Sequence, residues 1–208
     1  MERERITISI RKGILEKIDA TIDGVAVRNR SHAIEHLISK TLGKESLKNA
    51  VILVGGKGAN KTIDDVNKII VKLSQSGFNK IYIASGSMVL NLKDKISPPE
   101  TGETIIEYIQ SENGSGGALS PLKKIFRDTF LVVNPSFEAP LDINEIVKFH
   151  KNHKYTATVA TNDLGELKGI YVLEPSVFDS IPKGFSMLED DVLPALARNY
   201  ELVVYPLL

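Results

Sequence analysis

Two glycine-rich stretches carry the residue types best suited to chemistry. Gly55-Gly56-Lys57-Gly58-Ala59-Asn60 follows the apolar run 50–54, and Gly114-Ser115-Gly116-Gly117 comes later in the chain. Glycines at the end of a strand let backbone N–H groups approach an anion, and Lys57 or Lys61 could add charge. Phosphate cradling is the chemistry such a loop would do. The spacing is neither the G-x-G-x-x-G of dinucleotide folds nor a P-loop, and a tight strand-to-helix turn explains the same residues. A third set opens the chain, where Arg5, Thr7 and Ser9 alternate with Ile6, Ile8 and Ile10. One guanidinium and two hydroxyls on a single strand face suit base edges in the major groove of DNA.

The other titratable groups offer less. His32 and His36 lie one helical turn apart beside an apolar stripe, which places them on the surface. His150 and His153 flank a predicted helix end, where a cation is favourable. Glu189, Asp190 and Asp191 cluster on a predicted helix and read as a solvated face. With no Cys, there is neither a disulfide framework nor a thiolate metal site, which fits a reducing cytosol.

The elements that must position these groups follow from periodicity. Residues 5–10 alternate strictly, the signature of a half-buried strand. Ile14, Leu15, Ile18 and Ile22 recur at helical spacing until Gly24. Ala33, Ile34, Leu37, Ile38 and Leu42 make a second stripe, with Ser31 as the expected cap and Gly43 as the stop. A unit of this size with one unpaired strand buries too little surface alone. A two-fold dimer, strands paired antiparallel over four interlocked helices, solves this and duplicates the polar strand face. Residues 43–49 are polar and separate two hydrophobic patterns. The expected domains are therefore 1–43 and 50–208, with 44–49 as a short linker. From residue 50 apolar strands alternate with helices, at 50–54, 81–84, 104–109, 130–133, 155–161, 169–173 and 202–205. Helices are expected over 63–76, 118–126, 144–150 and 188–197. This predicts an α/β sheet covered on both faces.

Bulk composition agrees with a globular α/β protein, at 42% hydrophobic and 25% charged residues. The net charge is zero but unevenly placed. Residues 1–48 hold ten Lys/Arg against seven Asp/Glu, a net +3, and the remainder holds 16 against 19, a net −3. A basic small module on an acidic body suits a DNA-binding head. Neither a membrane span nor a secretory signal is expected, and the expected location is cytoplasmic.

Residues 3–43 resemble the ribbon-helix-helix family of DNA-binding proteins, through ERITISI, the helix to Ile22, Gly24, and NRSHAIEHLISKTL. The resemblance implies an intertwined homodimer, able to form a tetramer if the bodies also associate, with double-stranded DNA as partner. It makes Arg5, Thr7 and Ser9 the base readers. Backbone N–H groups near Asn29, Arg30 and Ser31 would hold phosphate, with Arg3, Arg11 and Arg28 as further backbone contacts. Dimerisation alone, or an antitoxin-like capture of another protein, would use the same module.

Residues 50–208 resemble the sugar-phosphate nucleotidyltransferase family. The matching stretches are VILVGGKG, GFNKIYIASG, GSGGALSPLKK, FLVVNPS, GIYVLEPSVFDSIPKG and SMLEDDVLPALA. The resemblance implies a three-layer α/β body. It also implies a nucleotide or nucleotide-sugar ligand at Gly55, Gly56, Lys57, Gly58, Lys61, Gly116 and Gly117. Departures fall on the chemistry. Ala59 and Asn60 replace the family's Thr-Arg pair, and the Lys-Pro segment is absent. Asn134-Pro135-Ser136 replaces the Asn-Gly-Asp whose Asp holds Mg²⁺, and the region before GIYV is shortened. No catalytic residue, metal ligand or cofactor is therefore assigned. The expectation is a transcriptional regulator whose catalytically inactive body senses a ligand or mediates oligomerisation. A working nucleotidyltransferase with a DNA-binding head is the alternative, and a ribbon-dimerised scaffold is a third.

Overall fold

A computed structural model describes residues 6–22, 24, 27–42, 47–55, 59–86, 92–97, 104–135, 142–162 and 169–207. Two units are present, Met1–Glu45 and Ser46–Leu208.

In the first unit, α1 (Lys12–Asp19) and α2 (Arg30–Leu42) enclose a small core of Ile18, Val27 and Ala33. Ile10, Ile22, Ile34 and Leu37 pack against it. The cap of α2 is Asn29, not Ser31: its Oδ1 accepts from the His32 N–H at 2.9 Å. An amide two residues upstream of Ser31 reaches the third N–H of the helix, which is the geometry a cap requires. Residues 6–10 form no ladder with the described residues; the expected strand was one that pairs across a two-fold dimer. A strand exists only through a partner's hydrogen bonds, and none is available among the described residues. Ile6 and Ile8 consequently stand 71% and 51% exposed.

In the second unit, seven strands form one sheet: β1 (Asn49–Val54), β2 (Lys80–Ser85), β3 (Ile105–Gln110), β4 (Phe130–Val133), β5 (Ala157–Thr161), β6 (Ile170–Leu173) and β7 (Leu202–Pro206). β1 opens at Asn49, inside the stretch read as linker. The strand order is β3-β2-β1-β4-β6-β5-β7. Only β6 runs against the others, paired antiparallel with β4 and β5. The period of two sorts the strand residues onto opposite faces. Ala50, Ile52 and Val54 of β1 face one core with Ile81, Ile83, Leu131 and Val133. That core is covered by α3 (Ala59–Gln75) through Val66, Ile70 and Leu73, and by the later helix Ile143–His153 through Ile143, Ile146 and Val147. Val51, Leu53, Tyr82, Phe130 and Val132 face the other core. Its cover is irregular. The expected helix over 118–126 is instead a single turn, α4 (Gly114–Gly117), followed by the 3₁₀ turn Ser120–Lys124. Glycine and proline there deny a longer α-helix. The 3₁₀ turn Pro175–Ser180, the π turn Leu188–Val192 and a short helix Leu193–Arg198 complete this layer. In chain order, Ile143–His153 is α5 and Leu193–Arg198 is α6.

α3 starts at Ala59, earlier than the expected Ile63. Its end is a left-handed cap. Gly77 holds φ +90° and donates to Ser74 O, and Phe78 N donates to Leu73 O. No helix among the described residues is long and apolar enough to cross a membrane.

Candidate functional site

The strand order reverses at β1, and ligands in open α/β sheets bind at the carboxyl ends of strands beside such a point. A crevice of about 430 Å³ lies there, within the roughly 300–1,000 Å³ of small-molecule sites. On one side β1 supplies Val54 and Gly55, β2 supplies Ser85 and Gly86, and Ser111 and Glu112 follow β3. Asn134 enters just past β4. The opposite wall is made of Gly114 and Ser115 with Phe185, Met187, Glu189 and Asp190.

Backbone hydrogen bonds fix that second wall. Ser186 N donates to Asn113 O at 2.9 Å, while Ser186 O accepts from Gly116 N at 2.9 Å and Gly117 N at 3.2 Å. Gly114 must be glycine: it holds φ +76°, and a Cβ there would sit 2.3 Å from Ser186 O. Side chains add a second tie. Ser115 Oγ donates to Glu189 Oε2 at 2.8 Å and accepts from Leu188 N at 2.8 Å. Tyr171 OH donates to Glu189 Oε1 at 3.1 Å and accepts from Gly169 N at 3.0 Å. Burial, reinforced by the Glu189 carboxylate, pushes the Tyr171 hydroxyl far above its ordinary range, so it remains a donor. Glu189 is thus held in one orientation on the crevice wall, not on the solvated helix face expected for it. The π turn aims it inward, and sequence periodicity carries no signal for such a turn.

The ligand-binding candidates separate. Gly55 lines the crevice. Gly56, Lys57 and Gly58, and the Lys61 side chain, lie outside the described residues. Gly116 and Gly117 are buried behind the wall, with their N–H groups on Ser186 O. A Cβ on either would press on the 184–187 segment or on Asn113, so close packing explains both glycines. Sequence reasoning named Ser115 only as part of its glycine-rich stretch, and missed Phe185 and the Tyr171–Glu189 pair. SMLEDD was the available signal, since its acids follow a buried Ser186.

The DNA-binding candidates are on the first unit. Arg3 and Arg5 lie outside the described residues. Thr7, Ser9, Arg11, Arg28, Asn29 and Ser31 are exposed. Asn29 is occupied as the α2 cap. Arg30 forks onto Asp19 at 2.6 and 2.7 Å, and the guanidinium's hydrogen bond holds the Asp19 carboxyl below its ordinary range.

The nucleotidyltransferase resemblance implies Mg²⁺, an ion held by one or two carboxylates together with substrate phosphates, and Glu112 and Asp190 are carboxylates on the crevice that could serve. No group of three or more His, Cys, Asp or Glu among the described residues could hold a metal ion by itself. Both oxygens of Glu189 already accept from hydroxyls, and Ser136 lies outside the described residues.

At the opposite end of the sheet, His150 is 1% exposed, not at a solvated helix end. Its ring bonds Thr158 Oγ1 at 2.8 Å and Glu174 Oε1 at 3.0 Å, and Thr129 donates to the same carboxylate. This triad ties α5 to β5 and to the end of β6, far from the crevice.

No protein-family model matches the chain. The chain is 23% identical to the mannose-1-phosphate guanylyltransferase catalytic subunit beta of Xenopus tropicalis, over 74% of this chain and 57% of that protein. It is 20% identical to the mannose-1-phosphate guanylyltransferase of Mycobacterium tuberculosis, over 76% and 57%. The chain thus spans little more than half the length of these relatives. Among solved structures, HddC from Yersinia pseudotuberculosis complexed with GMP-PN superposes with a TM-score of 0.60, at 15% identity over 76% of this chain and 91% of that one. The inositol-1-phosphate CTP transferase from T. maritima gives 0.57, at 9% identity over 77% and 86%. The fold is nucleotidyltransferase-like.

These matches correct the expected transcriptional regulator and its catalytically inactive body. The curated relatives are transferases, and none of these matches supports DNA-binding regulation. The expectation counted Ala59, Asn60 and Ser136 as lost chemistry at fixed chain positions. The crevice draws its described carboxylates from elsewhere, Glu112 after β3 and Glu189 and Asp190 from the π turn. Matching in chain order does not count groups that the fold delivers from other elements.

Proposed function

We propose that the C-terminal unit is a sugar-phosphate nucleotidyltransferase. A phosphate oxygen of a sugar 1-phosphate attacks the α-phosphorus of a nucleoside triphosphate. The new P–O bond forms as the α–β bridge breaks, and pyrophosphate leaves. The observation that carries this reading is the crevice at the carboxyl ends of β1, β2 and β4, in a fold shared with HddC and the CTP transferase. Gly55 starts the loop that would receive the triphosphate, with Gly56, Gly58, Lys57 and Lys61 following it in the chain. Backbone N–H groups and ammonium ions there would stabilise charge developing on the phosphates. Ser115 and Glu189, held by Tyr171, present fixed hydroxyl and carboxylate groups to the remainder of the substrates.

The test is pyrophosphate release by the full chain with each nucleoside triphosphate, Mg²⁺ and a panel of hexose 1-phosphates. Turnover with one pair, lost in Lys57→Ala, is the expected result. No release with any pair rejects the reading.

A second proposal concerns the N-terminal unit. Ile8, Ile10, Ile14, Ile18, Ile34, Leu37 and Ile38 line an apolar groove. Ile6, Ile8, Ile14 and Ile38 are each at least 45% exposed. Ile6–Ile10 has strand patterning and no strand partner among the described residues. A second copy supplies both the missing strand and the apolar cover, so this unit is proposed to pair with itself.

A further inference from the structure

We propose that Phe185 is the platform on which the sugar ring of the acceptor packs, which makes it a determinant of acceptor affinity; this rests on the transferase reading above. Phe185 is 69% exposed and lines the crevice. Its backbone is held on both sides. Gly184 turns the chain into the mouth with φ +88°. Ser186 is fully buried and bonded through both N and O to the Asn113–Gly117 turn. Met187 N donates to Asp191 Oδ2 at 2.7 Å. A large flat apolar side chain therefore projects from an anchored stretch of backbone and is left wet. Burying an aromatic face under a ligand gives back the hydrophobic free energy that exposure forgoes.

The groups beside the ring indicate what would cover it. Glu189 and Asp190 lie on the same wall. Each oxygen of Glu189 already accepts one hydroxyl, from Ser115 or Tyr171. What remains on each suits a single O–H donor. A described wall with two carboxylates and no cation repels phosphate and attracts hydroxyls. A pyranose offers both complements, O–H donors around its rim and a face of C–H groups that packs on an aromatic ring.

Pyrophosphate release by the unaltered chain tests the transferase reading alone and identifies the acceptor. With that acceptor, Phe185→Ala is expected to raise its KM about tenfold. The KM of the nucleotide and the thermal unfolding of the protein are expected to stay unchanged. Phe185→Trp places a single Trp in a chain that has none. Its emission is expected to change on adding the sugar 1-phosphate and not on adding the nucleoside triphosphate alone. An unchanged acceptor KM in Phe185→Ala, or Trp emission that answers the nucleotide alone, overturns the platform while the transferase stands. Absence of turnover in the unaltered chain removes the reading on which the platform rests.

Discussion

Tyr171 links the interior of the sheet to the crevice through one oxygen. Its hydroxyl donates to Glu189 and accepts from Gly169 N, and the side chain is fully buried. Tyr171→Phe leaves the Gly169 N–H without its partner in a place water does not reach. The expected loss is about 1–3 kcal/mol, the cost of stranding a buried donor. Urea unfolding would measure it as a lower midpoint at unchanged slope. The same change frees one oxygen of Glu189, so weaker acceptor binding should accompany the lost stability. Gly169 itself is required by close approach, since a Cβ there would sit 2.1 Å from Ala160 O. Both residues were visible in the GIYV stretch, but only as parts of a strand. Their joint role depends on Glu189, which arrives 18 residues later through a π turn.

Helix ends show where local chemistry is enough to read an element. Gly77 ends α3 because its φ of +90° suits glycine and sends Phe78 N back to Leu73 O. The start of α5 is equally local: Asp142 accepts from Asn144 N at 2.9 Å. Asp142→Ala is expected to cost about 1 kcal/mol, as caps generally do. A fall of a few degrees in Tm at unchanged fold would show it. The irregular layer behaves differently. Residues 114–124 and 175–192 are short turns whose shape is set by what they cover, the Tyr82, Phe126, Phe130 and Phe178 cluster. Their periodicity was read as regular helix over 118–126 and 188–197; the first is a 3₁₀ turn, and the second is a π turn up to Val192 and α-helix only from Leu193. Glycines and prolines permitted the turns without specifying them.

At the scale of the molecule, two units of different self-sufficiency share one chain. The sheet is closed on both faces by two cores, whereas among the described residues the N-terminal core holds three buried side chains, of which only Ala33 is fully enclosed. Pairing of the N-terminal unit is expected to make the chain a dimer in light scattering at micromolar concentration. Ile8→Lys, which charges the open groove, is expected to yield monomers whose far-ultraviolet circular dichroism is retained, because the sheet does not depend on it. A dimer that survives Ile8→Lys would place the association elsewhere. Apolar runs and helical spacing in the sequence alone determined the strands of the sheet, the major helices and the α/β class, because a strand covered on both faces is apolar at successive residues. Of the glycine-rich segments, Gly55 and Gly114 line the crevice. Tertiary structure alone decided that Gly116 and Gly117 pack behind the wall, that Glu189 faces inward, that His150 is buried, and that Phe185 stands open at the mouth. Those outcomes depend on contacts between separate elements, from His150 with Glu174 to Ser115 with Glu189, and local sequence patterns do not encode which other segment a residue will meet.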